Sequence, residues 1–190
     1  MTLLRWLLIP VVLTLGACAN VAKISTGDVL VENRVEMRLD AAWNQVNIPG
    51  RGRTVLWTQD GITVDALEWW VGVKDGQNLV DQPSDKRPIA FRAAMQPHEV
   101  AALFEAVYSR DGSAVTVDKL GPSPFLGGPG YRIDYTVLRK IDDVRVSGMA
   151  WFTVRNNELF ALTFTAPRLG FFPRHQPKVE QVARSARLKS

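Results

Sequence analysis

The sequence predicts an α+β fold: a mostly antiparallel sheet of six or seven strands with two principal helices. Three observations predict it. Apolar and polar residues alternate over several short runs, the period of a strand with one buried face. One segment instead spaces Val100, Leu103, Phe104 and Val107 by three and four residues, the stripe of a helix that buries one side. Turn-forming pairs such as Asp60-Gly61 and Asn156-Asn157 fall between the alternating runs. With 190 residues, 46% hydrophobic and 22% charged, the chain suits a folded body, and a single cysteine excludes an intramolecular disulfide.

Each element has its own signal. Val35, Met37 and Leu39 alternate with Glu36 and Arg38, and Asp40–Asn44 reads as a turn or one helical turn capped by Asp40, with Trp43 plugging the end of the core. Pro49-Gly50-Arg51-Gly52 is a second turn. Residues 53–59 are a strand, Asp60-Gly61 turns it back, and Ile62–Val71 return. Alternation breaks near Ala66, so a bulge is expected near Asp65 or Ala66. Lys74-Asp75-Gly76 is another turn, and residues 77–90 are irregular and polar. Pro97 opens the helix, which ends between Ser109 and Gly112. Val115 and Val117 mark a short strand, and Gly121–Gly130 (GPSPFLGGPG) is a loop. Three strands follow over 131–139, 144–154 and 158–166. A closing helix spans Pro177–Ala186, with Val179 and Val182 inward.

The first 17 residues read as an export leader. Arg5 is followed by an apolar run, Trp6–Leu15, that is too short to cross a bilayer of about 20 residues comfortably. Leu15-Gly16-Ala17-Cys18 is similar to the lipoprotein box, and here the chain resembles a bacterial lipoprotein precursor. That resemblance implies cleavage before Cys18, a diacylglycerol on its sulfur and an acylated new amino group. Several acyl chains at about 0.8 kcal/mol per buried CH₂ make a durable anchor. Ala19 and Asn20 are not acidic, and by analogy with the sorting of enterobacterial lipoproteins the resemblance then implies the outer membrane, facing the periplasm. The expected division is a leader over 1–17, lipidated Cys18 with a short tether over 18–28, and one α+β domain over 29–190.

Net charge is +4 for the full chain, and losing Arg5 leaves 22 basic against 19 acidic side chains. So small an excess, without alternating basic and aromatic residues, excludes a nucleic-acid partner. The membrane, through the N-terminal lipid, and an envelope protein or polymer are the expected partners.

The strand ending at a Trp-containing turn, the mid-chain helix, the run Leu159–Pro167 and the terminal helix with Ser185 together resemble the PsbP/Mog1-like α/β/α sandwich, over about residues 30–188. The resemblance implies a binding, assembly or accessory protein and no enzyme. The chain as a whole also resembles an uncharacterised proteobacterial lipoprotein.

The residues themselves offer little catalytic chemistry. His98 and His175 are the two histidines, no HExxH or CxxC occurs, and no metal or cofactor is expected. No Gly-x-Ser-x-Gly elbow is present, so a hydrolase would need a serine beside one of those histidines. Glu68 beside Trp69 and Trp70 invites a glycan-site reading, but neighbours in a strand face opposite ways, which assigns at least one tryptophan to the core. The 121–130 loop lacks the phosphate-loop order, and Pro122, Pro124 and Pro129 have no N–H to offer. Phe125 and Leu126 at its tip either anchor in the core edge or contact a partner or lipid. Phe171, Phe172 and Arg174 likewise either seat the last helix or touch an anionic headgroup. These five are the candidate contact residues. A non-enzymatic binding or assembly module is the leading expectation. A binding module for a small apolar ligand or lipid is the alternative, in a sheet–helix cleft near Phe125, Phe171 and Trp151, and a cryptic hydrolase is the third reading.

Overall fold

A computed structural model describes residues 20–48, 54–81 and 87–189. Cys18 and the Pro49–Gly52 turn lie outside the described residues. The elements in chain order are β1 (Asn20–Ile24), β2 (Gly27–Val31), β3 (Val35–Leu39), β4 (Trp43–Asn47), β5 (Val55–Thr58), β6 (Ala66–Lys74), α1 (Pro97–Tyr108), β7 (Ala114–Pro122), β8 (Tyr131–Leu138), β9 (Arg145–Arg155), β10 (Glu158–Pro167), α2 (Phe171–Ser185) and β11 (Arg187–Leu188). Eight strands form one antiparallel sheet in the order β1-β4-β5-β6-β10-β9-β8-β7, and β11-β3-β2 form a second. The α+β class and the two helices match the sequence expectation, with more strands than expected.

Three tryptophans show how the large sheet divides the core. Trp57 and Trp69 are buried on one face with Trp43, Trp151, Phe164, Val179 and Val182, under α2 and the small sheet. Trp70 is buried on the other face with Phe91, Val100, Phe104, Ile133 and Phe152, under α1. The central strand β10 is buried from Leu159 to Phe164 without a break, because both of its faces are covered. β9 and β10 are joined by Asn156 and Asn157, both left-handed (φ 51° and 60°), as a two-residue hairpin of right-twisting strands requires.

Five local expectations are corrected. Residues 20–28, expected as a tether, hold β1 and the start of β2. β1 is an edge strand paired with β4 from Asn20↔Asn47 to Ile24↔Trp43, and Val21 is 60% exposed, so it has no buried alternation to read. Residues 62–65 belong to a turn, not to the returning strand. The buried Asp65 carboxylate accepts from Thr58 Oγ1 (2.6 Å), Gln59 N (2.9 Å) and Asp60 N (2.7 Å), and this holds the chain back from the sheet until Ala66. The bulge falls at Val71-Gly72, where one extra residue of β6 opposes β10 and Gly72 has φ +68°. α2 starts at Phe171, six residues before Pro177. Gly170 (φ 82°) precedes its first turn, and Pro177 is accommodated on an exposed side of the helix. The strand expected around Val115–Val117 also extends to Pro122, with a register shift between Val117 and Lys119.

Close approach within a core layer fixes Gly148 on β9. A Cβ there would lie 2.2 Å from the ring of Tyr135, itself buried on β8. Gly148→Ala is therefore expected to lower unfolding free energy by about 1–3 kcal/mol, the cost of overpacking a closed site. Urea denaturation of the variant against the parent chain measures it.

Candidate functional site

The register defines two ends of the large sheet. One end gathers Asn20, the 123–130 loop and the β9–β10 hairpin; the other gathers the β8–β9 hairpin, the 59–65 turn and the start of α2. α2 runs between them and at 15 residues is about 22 Å long. It therefore separates the five candidate contact residues into two groups.

Phe171, Phe172 and Arg174 come together on the first turn of α2. Phe172 stacks on Phe164 (5.8 Å between centroids) and the Arg174 guanidinium lies 4.8 Å over Phe171. Both phenylalanines are half-buried against the core, so they seat the helix. Arg174 also pairs with Asp60. The same carboxylate oxygen lies 2.5 Å from His175 Nε2. Since a carboxylate accepts only, Nε2 carries the proton. His175 is buried between Trp43 and Phe164, and its Nδ1 has no partner. Burial raises the Asp60 carboxyl, but hydrogen bonds from His175 and Arg174, with their charges, outweigh it and hold the group below its ordinary value. No serine hydroxyl is among the hydrogen bonds of His175, and His98 is exposed at the start of α1. This cluster clamps the 59–65 turn to α2.

Phe125 and Leu126 lie at the opposite end, and both are core residues at 1% and 5% exposure. Of the two readings of the loop tip, core anchoring is the observed one; Phe125 stacks on Trp69 at 6.4 Å and 17°. The loop is pinned because a Phe125–Gly128 bridge closes it and Arg155 Nη2 donates to Pro129 O (2.9 Å). A Cβ on Gly128 would lie 2.3 Å from that guanidinium, and one on Gly130 would lie 2.8 Å from the backbone oxygen of Phe152.

Between this loop, the β8–β9 surface and the last turns of α2 opens a cleft of about 840 Å³. Its floor is Trp151 with Phe125, Pro124 and Pro129 at the loop side and Ala183 on the helix. Arg132 lies 5.0 Å over the Trp151 ring and is held by Asp134 (2.8 Å) and Glu180 (3.1 Å). Burial acts to lower the Arg132 pKa, and its carboxylate partners raise it further than burial lowers it. Burial acts to raise Glu180, and Gln176, Arg132 and Arg184 bring it below the ordinary value. Arg184 and Arg187 form the outer rim, Arg184 with 69% of its side chain exposed. Of the expected cleft residues, Phe125 and Trp151 are present and Phe171 is not. Arg132 and Glu180 were missed, although Glu180 and Arg184 have the i, i+4 spacing of a helical ion pair.

The remaining candidates lose their surface. Trp69 and Trp70 are buried on opposite faces, and Glu68 is buried beneath α1, where Tyr108 Oη lies 3.5 Å from its carboxylate, so neither ring can stack on a sugar. Among the described residues no group of three or more His, Cys, Asp or Glu gathers as a metal site.

The fold resembles that of PsbP. The solution structure of cyanobacterial PsbP (CyanoP) from Synechocystis sp. PCC 6803 superposes with a TM-score of 0.59 at 17% identity, covering 92% of this chain and 99% of that one. A protein of unknown function and putative regulator from Pseudomonas aeruginosa, PA94, reaches 0.43 at 15% identity, covering 82% and 92%. LpqN of Mycobacterium tuberculosis, involved in cell envelope biogenesis, reaches 0.43 at 8% identity, covering 90% and 92%. No family model and no curated protein matches the sequence.

The Asp60 clamp has a pH signature. Its folded carboxyl titrates below the unfolded value of about 3.9, so it contributes stability that is complete above that value and lost as pH falls through the folded one. Asp60→Asn is expected to cost about 0.5–1.5 kcal/mol near neutral pH, the contribution of charge-assisted hydrogen bonds discounted for the carboxylate's exposure to solvent. The gap between variant and parent should close at acidic pH below about 3.9. Urea unfolding in both pH ranges tests the assignment.

Proposed function

We propose that this chain is a bacterial envelope lipoprotein, anchored through Cys18, whose domain works as a non-enzymatic binding module. The observation that carries the binding reading is the cleft beside Trp151, with an apolar floor, fixed walls and a cationic rim. Its inner charged groups are already partnered, Arg132 by Asp134 and Glu180, and Glu180 also by Gln176. Such an arrangement holds a ligand and has no nucleophile paired with a base. Its volume lies within the range of small-molecule pockets, about 300–1,000 Å³, which favours the small apolar ligand or lipid as occupant over an extended polymer.

The anchoring reading rests on the leader and the Leu15–Cys18 box. β1 begins two residues after Cys18, and two residues reach about 7 Å at most. The domain would therefore sit against the membrane, outer membrane and periplasmic side by the residues after Cys18, where even weak binding acts at high local concentration.

Intact-mass analysis of the membrane fraction tests this, with Cys18→Ala for comparison. A mature chain beginning at acylated Cys18, and loss of the variant from membranes, is the expected outcome. An unmodified chain, or a variant that stays membrane-bound, overturns the anchor.

A further inference from the structure

We propose that the Trp151 cleft takes an anionic amphiphile: an acyl chain along its apolar floor, with a carboxylate or phosphate head between Arg184 and Arg187. The inference deepens the binding-module reading and rests on it.

Three observations meet at this site. The cleft separates its chemistry by depth. Its open apolar surface comes from Pro124 and Pro129, backed by the buried Phe125 and by Trp151 under Arg132, while the cations Arg184 and Arg187 stand at the rim. Charge is unbalanced in the ligand's favour. Arg132, Arg184 and Arg187 stand against Glu180 in the lining and Asp134 behind Arg132, which leaves one cation in excess. Arg132 is buttressed on both sides by Asp134 and Glu180, whereas Arg184 reaches Glu180 only at 3.7 Å. Arg187 is positioned by its own backbone contacts, Nη1 donating to Arg184 O and Ala186 O at 2.7 Å each, and its Cδ sits where a Cβ on Gly127 would come within 3.0 Å. A head with two or three acceptor oxygens matches such guanidinium forks better than a neutral polar group does.

The third observation is orientation. Pro122 and Tyr131, which flank the loop, share the sheet end where β1 starts at Asn20. A chain anchored through Cys18 would thus turn the cleft's end of the sheet toward the bilayer, where amphiphiles of this chemistry are concentrated. An uncharged apolar ligand would leave the rim arginines without a role. A free anion would leave the exposed prolines of the lining, Pro124 and Pro129, without one.

The test uses the purified full chain and a fluorescent fatty acid, dansyl-undecanoate, as probe. Displacement is measured with lauroyl-lysophosphatidylglycerol, with dodecanol as the neutral control and with glycerol phosphate as the head alone. Uptake of one probe per chain is expected, with energy transfer from tryptophan. The lysolipid should displace it at concentrations lower by about tenfold or more than either control, the ratio expected of one charge-assisted contact. Arg184→Gln should weaken lysolipid binding by about tenfold and leave dodecanol unchanged. The exposed position of Arg184 spares the fold, and Arg184→Gln/Arg187→Gln should weaken lysolipid binding further. Vesicles of labelled phosphatidylglycerol then separate the two sources. Extraction of labelled lipid into a soluble complex assigns a bilayer phospholipid, and uptake of the monomeric probe without extraction assigns a free fatty acid or lysolipid. Equal displacement by dodecanol, an Arg184→Gln variant that binds the lysolipid normally, or vesicle association without probe uptake overturns the proposal. Such a failure with acylated Cys18 in place removes the ligand class and leaves the anchored module standing, so the two readings fall separately.

Discussion

A sheet whose central strands are buried on both faces sets the terms for everything else in this molecule. Along β6, β10 and β9, successive side chains alternate between two cores, so neither face can be left to water. α1 answers for one side. α2 is too narrow to cover the other alone, and the β2–β3–β11 sheet completes it, contributing Val31, Val35, Met37 and Leu39 to the same cluster as Trp57 and Trp69. The adjacent pair Trp69-Trp70 is the clearest expression of this constraint, since two large rings one residue apart serve two separate cores.

The cleft exists because that second cover is composite. Where α2 gives way to β11, the helix and the small sheet no longer fill the space above β8 and β9, and the Pro- and Gly-rich loop closes only part of it. Two of its glycines are required by the backbone: Gly127 holds a left-handed conformation (φ 76°), and Gly130 passes within 2.8 Å, at its Cβ position, of the Phe152 carbonyl oxygen. The loop is thus a fixed wall. Prolines remove conformational freedom, Phe125 holds the loop to the core, Arg155 ties Pro129, and the rim cation Arg187 is positioned by backbone carbonyls.

Legibility in the sequence followed burial. β3, β8, α1 and the β9–β10 hairpin were readable because each carries a strong period or a turn pair. β1 was not, since an edge strand with exposed Val21 is held by backbone pairing and leaves no pattern. The start of α2 was hidden by Pro177, which reads as a beginning when it sits in the interior of a helix. The Asp60–His175 contact joins residues 115 apart and carries no local signal. In the cleft, Trp151 and Phe125 could be anticipated as large apolar groups near one layer boundary. Arg132 could not, because an arginine on the outer face of a strand reads as solvated until the Trp151 ring beneath it is known.

The chain's path has a practical corollary for anyone labelling it. Asn20 and Lys189 belong to the same pole of the domain: Lys189 N bonds to Arg34 O, and Arg34 pairs with Glu158 at the β9–β10 hairpin. A fluorescent protein or affinity tag fused beyond Lys189 would be delivered beside the cleft. The tip of the β8–β9 hairpin, where Ile141 is 88% exposed and Asp142 and Asp143 are solvated, lies at the far pole. Reporter sequences inserted there would stand clear of the cleft.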